Sequence, residues 1–385
     1  MRRLLPTLLL LAVVVTACGG STGESDSAGG AAAATGDEEL GFSTEGWKTD
    51  FSNHSVPLTE FTSGGPPRDG IPPIDEPKYV GLDEAGEFLG EREPVMVVEE
   101  GREVRGYPLQ IMVWHEIVND ELGGRPIAVT YCPLCNSSVV FDRRVAGQEL
   151  TFGTTGNLRN SDLVMWDRQT ESWWQQLTAD AVVGELTGEQ LEVLPSQILS
   201  FADFRERFPK ADVLSRDTGF DRDYGTTPYA GYDNSPDEQP FLLEGEADGR
   251  LPPKTRVAAV LEGDDALVIP FDRLEEEPVV NEEVAGTPVA VFFDPEVTSV
   301  LDESSIASSR EVGSAAAFDR RVGGRTLTFS STDGRIVDDQ TGSEWDITGR
   351  AVAGPLADER LEPVRHDEQF WFALAAFVPD ARIAP

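Results

Sequence analysis

The sequence predicts a β-rich α+β protein built as two related tandem modules packed together. Three observations predict it. Short runs of β-branched and aromatic residues, separated by Gly, Asn and Asp turn residues, dominate from about residue 94 onwards. Helical periodicity is confined to short segments such as 109–119 and 201–208. The second half also repeats blocks of the first half in the same order.

The chain has 385 residues, enough for two modules with sizeable cores, and a formal net charge of −38. A field of that sign repels nucleic acid and favours cations or basic partners, although plain solvated acidic surface is the preferred reading over an acidic binding face. Arg2 and Arg3 precede an apolar run, 4–15, which is too short to span a bilayer. Residues 1–17 therefore read as a signal peptide. Val15-Thr16-Ala17-Cys18 resembles a bacterial lipobox, which implies cleavage before Cys18 and lipidation of its sulfur. A plain signal peptide with an incidental cysteine is the alternative. The expected location is the cell envelope, with a lipid anchor on the outer side of the cytoplasmic membrane. The anchor makes the membrane a partner. No nucleic acid is expected, a monomer is, and no protein partner is named.

Residues 18–41 are Gly, Ala, Ser and acid, and read as a flexible tether. The Pro- and Gly-rich stretch 42–93 reads as an irregular N-terminal wrap. The first module, 94–214, opens with PVMVVEEGREVRGYPL, a hairpin pattern turning at Glu100-Gly101. In 109–119, Ile111, Trp114, His115 and Val118 follow i, i+3, i+4, i+7 spacing and predict an amphipathic helix. Gly123-Gly124 ends it, and PIAVTY then reads as a strand entering Cys132. Further strands are expected at SVVFDRR, QELTFGT, LVMWD and SWWQQ. Residues 215–253 read as an ordered loop or linker.

The second module, 254–385, repeats the first without its cysteines. RVAAVLEGDDALVIPF echoes the opening hairpin, and GTPVAV echoes GRPIAV. Phe-Asp-Arg-Arg-Val recurs at 141–145 and 318–322, each followed at the same offset by Leu-Thr-Phe. Gln340-Thr341 and Trp345 answer Gln169-Thr170 and Trp174. Tyr131-Cys132-Pro133, however, becomes Phe293-Asp294-Pro295, and the counterpart of the His115 helix has no histidine.

The cysteine-bearing motif carries the candidate chemistry. Cys132-Pro133-Leu134-Cys135 can hold one metal, act as a redox dithiol, or close a structural disulfide; all three stay open. With His115 as nitrogen donor and Met165 as soft donor, the set suits copper first and zinc second. Each of those two residues also reads as ordinary core. The residues after Cys135 are strand-like, so the helix N-terminus that activates thioredoxin-type thiols is not evident. His115-Glu116 as an acid/base pair is weakened because neighbouring helix residues point apart. Asp217, Asp221, Asp223 and Tyr224 form a second polar cluster. It reads as a calcium or ligand site, or as a loop bonding its own backbone. No nucleophile elbow or phosphate loop is present, so no catalytic residue or enzyme class is assigned.

Several blocks together resemble a bacterial and archaeal family known as Domain of Unknown Function 3179. They are WHEIVND (114–120), TYCPLCNSSVVFDR (130–143), NSDLVMWDRQTESWWQQLT (160–178), SRDTGFDRDYG (215–225), PYAGY (228–232) and LPPK (251–254). The likeness runs from about residue 72 onwards. It implies no settled activity, and nothing attached to CPLC carries over to the second module.

Overall fold

The opening hairpin forms as its pattern dictates. Strands Pro94–Glu100 and Glu103–Pro108 pair antiparallel around Gly101, and Ser196–Ser200 and Asp212–Leu214 flank them. The computed structural model describes residues 40–263 and 265–384. The expected signal peptide, the lipidation site Cys18 and all but the end of the 18–41 tether lie outside these residues.

Helix α1 (Leu109–His115) starts directly after Pro108, whose ring presets its backbone but prevents an earlier helical turn. It ends four residues short of the predicted limit. Glu116 adopts φ +59°, outside the helical region, and the β-branched pair Ile117-Val118 enters strand β1 (Ile117–Leu122). The apolar spacing at Val118 thus belongs to a sheet face. Gly123 and Gly124, both at positive φ, turn β1 into β2 (Arg125–Cys132). Strand β3 (Ser137–Asp142) pairs next, with Cys132 opposite Ser137, and Val193–Leu194 completes this sheet. Every residue of β3 is buried, and so is every residue of β2 except Arg125. CPLC therefore spans a hairpin corner inside the protein.

A third sheet carries the other half of the site. Strands β4 (Phe152–Arg159), β5 (Asp162–Asp167) and β6 (Trp173–Gln175) lie between Phe61–Ser63 and Ala181–Val183. The β4–β5 register shifts between Thr154 and Leu158. Gly156 at φ +77° makes that irregularity feasible, because a Cβ there would lie 2.1 Å from the Pro66 carbonyl oxygen.

The stretch 42–93 is irregular for most of its length, yet it adds the edge strands Phe61–Ser63 and Tyr79–Val80 and a short helix, Leu82–Ala85. Phe42, Trp47, Phe51 and Phe61 surround the Trp173 ring. Residues 215–253 contain no named helix or strand and cross the molecule as an ordered loop.

Beyond residue 255 the same strand orders recur. Ser196–Ser200, Pro94–Glu100, Glu103–Pro108 and Asp212–Leu214 correspond to His366–Phe370, Arg256–Glu262, Asp265–Pro270 and Arg382–Ile383. Sequence β1–β2–β3 corresponds to Val279–Val284, Thr287–Asp294 and Ser314–Asp319. Recurring residues make matching hydrogen bonds. Trp174 Nε1 donates to Asp167 at 2.9 Å and Trp345 Nε1 to Asp338 at 3.1 Å. Arg143 and Arg320 each donate to a leucine carbonyl seven residues on, Leu150 and Leu327.

The two sets share their cores. Val297, Val300, Leu301, Ile306, Phe370, Phe372 and Ala373 are buried among β1–β3 and the Met112–Val113 face of α1. Residues 39–385 accordingly form one compact unit. Among the described residues, no helix is long and apolar enough to cross a membrane.

Candidate metal centre

Two hairpin corners meet at the site. The first is the β2–β3 corner, where Asn136 at φ +52° closes the turn and accepts a hydrogen bond from Tyr131 Oη at 3.1 Å. Gln176 braces its flanks: Ser137 Oγ donates to Gln176 Oε1 at 2.9 Å, and Gln176 Nε2 donates to Thr130 Oγ1 at 3.0 Å. The second is the β4–β5 corner, where Asn160 and Ser161, at φ +52° and +66°, make the left-handed pair a tight hairpin requires. That turn delivers Ser161 and Asp162 to the cysteines.

Cys132 Sγ, Cys135 Sγ and a carboxylate oxygen of Asp162 all lie within 4.8 Å of one another. Cys135 Sγ donates to Asp162 Oδ1 at 3.3 Å, and the Ser161 carbonyl lies 3.4 Å from Cys135 Sγ and 3.9 Å from Cys132 Sγ. Asp162 is held from behind, with Gln175 Nε2 donating to Oδ2 at 2.5 Å and the Leu177 amide at 3.1 Å. All three groups are buried, the cysteines at 2 % and 0 % exposure. Both sulfurs are free thiols, not a disulfide.

Burial sets the electrostatics. It raises the Cys132 thiol pKa and takes that of Cys135 well above the ordinary thiol range, with neighbouring thiol and carboxylate charge adding to the effect on Cys135. It pushes Asp162 up to about 6 against the pull of its hydrogen-bond donors. At neutral pH the unliganded pair is therefore protonated. A bound cation reverses that balance by making thiolate the favoured form.

Beside this cluster is a cavity of about 450 Å³, lined among others by Glu116, Leu134, Leu163, Tyr229, Tyr232 and Phe241. Glu116, the left-handed residue after α1, is its acid. Burial, then the charge of Asp162, pushes its carboxyl up to about 8.

Of the four residues expected at the metal or redox site, the structure brings together Cys132 and Cys135 only. His115 has both ring nitrogens engaged elsewhere: Nδ1 meets the Pro72 carbonyl at 2.7 Å and Nε2 meets Tyr224 Oη at 2.6 Å. Nδ1 is then the donor and Nε2 accepts from tyrosine. Burial lowers its pKa to about 4, so the ring is neutral. His115 thus pins α1 to the loop, and its neighbour Glu116 takes the cavity. Met165 sits in the sheet opposite Thr154 and Trp174, fully buried in the core. Neither belongs to the converging group, whose oxygen donor is Asp162.

Asp217, Asp221 and Asp223 are exposed, and Asp217 pairs with Lys78 at 2.7 Å. They do not converge. Only Tyr224 of that cluster reaches inward, to His115. Asp162, Ser161, Gln175 and Gln176 were missed as site residues. The available signal was the 160–178 block: the β4–β5 hairpin runs from Phe152 to Asp167, whereas the matching hairpin of the second set runs only from Phe329 to Asp338.

The second set lacks the site as a whole. The Tyr131 amide donates to the Glu116 carbonyl at 2.8 Å, and in the same place the Phe293 amide donates to the Pro278 carbonyl at 2.9 Å. Proline thus replaces the cavity acid, and Asp294 replaces Cys132.

Fold and site together define a β-rich α+β protein with a buried dithiol–carboxylate cluster in one of two matching sheet sets. The chain belongs to the family described as Protein of unknown function (DUF3179), whose model matches residues 68–381. No curated protein and no solved structure matches it.

Proposed function

We propose that this protein binds one thiophilic metal ion through Cys132, Cys135 and Asp162. The observation that carries the reading is the convergence of two sulfurs and one carboxylate oxygen within 4.8 Å, all shielded from water. Two thiolates and a carboxylate are a zinc donor set with a fourth position left for water or a ligand. The imidazole and thioether that pointed towards copper belong to residues engaged elsewhere, so zinc takes precedence over copper. Gln175 and the Leu177 amide hold Asp162 from behind, as outer partners do in built metal sites, and Gln176 braces the strands that flank the cysteine turn.

The test is zinc titration of the reduced, metal-free full chain. One zinc per chain is expected, lost in Cys135→Ser and strongly weakened in Asp162→Asn, with His115→Gln retaining stoichiometric binding. Absence of stoichiometric zinc or copper binding would sink the proposal.

One observation favours a second reading as a thiol–disulfide oxidoreductase. Asp162 Oδ1, at 3.3 Å from Cys135 Sγ, is placed to take that thiol's proton. The raised thiol pKa values oppose it. A pair that exchanges readily with a disulfide reagent in folded protein, while binding no zinc, would favour this reading.

We further propose that the chain is a lipid-anchored envelope protein, on the strength of its n-region, apolar run and lipobox-like 15–18. Cys18→Ala is expected to release it from the membrane fraction, and an unchanged distribution would overturn the anchor.

A further inference from the structure

We infer that the cavity in front of Glu116 is a binding site for an organic ammonium cation, separate from the metal ligands. At about 450 Å³ it has the size of a small-molecule site. Glu116 is the single charged group in its lining among the described residues, and no Lys or Arg answers it. The residue is 7 % exposed, and none of the described residues donates a hydrogen bond to its carboxyl. An isolated buried carboxyl is costly, so its presence requires an explanation beyond folding.

The second set supplies a control. Pro278 makes the same backbone bond as Glu116, so the scaffold does not need an acid there. Glu116 is also held at φ +59°, an unfavourable backbone region that here presents its side chain to the cavity. Tyr229, Tyr232 and Phe241 add aromatic faces to the wall, and Phe241, 54 % exposed, stands at the solvent side.

A carboxyl facing aromatic rings across a largely apolar space is matched by a positive nitrogen on a hydrocarbon body, whose charge favours the ionised form of Glu116 on binding. An anion would find no Lys or Arg in the lining to receive its charge. A neutral apolar molecule would leave the carboxyl without a partner. The −38 charge of the chain draws cations towards the molecule.

The test is calorimetric titration of reduced, metal-free full chain with benzylammonium and with benzyl alcohol, its neutral counterpart of similar size. The absence of metal separates this outcome from that of the zinc proposal. Benzylammonium is expected to bind once per chain, at least about tenfold more tightly than the alcohol. Glu116→Gln should remove that preference, whereas Asp221→Asn, at an exposed acid, should keep it. Leu158→Trp, which adds bulk at a different lining position, should abolish binding and keeps the proposal testable if the glutamine variant does not fold. Equal affinity for the alcohol, a preference that survives Glu116→Gln, binding that survives Leu158→Trp, or no binding of benzylammonium would each overturn it.

Discussion

The amide of Phe370 donates to the carbonyl of Cys135 at 2.8 Å. This bond joins the cysteine-free set of sheets to the turn that carries both cysteines. The Phe370 ring is fully buried in the core formed by α1 and β1–β3. The second set is therefore part of the site's support.

A chain ending at residue 253 is expected to lack cooperative unfolding. It would expose the core surface that Val297, Leu301, Ile306, Phe370 and Phe372 cover. Loss of the near-ultraviolet circular dichroism signal and of zinc binding in the truncated chain checks this. A sharp unfolding transition in it would contradict the shared core.

Stability should fall as pH rises towards 8, with Glu116 a main cause. Its folded pKa, about 8, lies above the ordinary 4.5. The protonated form is thus favoured by folding. The stabilisation is fully present below 4.5 and is lost as pH rises through about 8. Glu368, also pushed up to about 8 by burial, acts in the same direction. Glu116→Gln is expected to flatten the slope in part, raising the melting temperature relative to the parent most strongly above about pH 8. A difference independent of pH would refute the assignment.

Asp167→Ala and Asp338→Ala should each cost about 2 kcal/mol in urea unfolding, the scale of lost hydrogen bonds to a charged group. Each carboxylate accepts from a buried tryptophan, Trp174 or Trp345, and from a threonine, Thr170 or Thr341. Asp338→Ala should leave zinc stoichiometry intact, which separates scaffold from site.

Gln176→Ala should weaken zinc about tenfold or more while leaving the stoichiometry at one, because it removes the brace without removing a ligand. Unchanged affinity would show that the turn holds its shape without Gln176.

Much of this architecture was legible locally. The PVMVVEEGREVRGYPL hairpin, the strand into Cys132 and the short helix at 201–207 follow from alternation, turn residues and apolar spacing. The failure at Val118 is instructive. Ile111, Trp114, His115 and Val118 fit a helical stripe, but a single left-handed residue at Glu116 redirects the chain, and side-chain periodicity does not encode that angle. His115 and Met165 were attractive donors by residue type. Their positions depend on Pro72, Tyr224 and Trp174, remote in sequence or across a sheet.

By itself, the sequence determined the β-rich class, the family, the acidic charge and the pair of cysteines as the chemically distinctive residues. These depend on composition and on neighbours along the chain. Only the tertiary structure decided that Asp162 completes the cluster, that His115 turns away, and that Glu116 faces a cavity. Those outcomes depend on how two hairpin corners and one left-handed residue meet in space, through contacts between segments tens of residues apart.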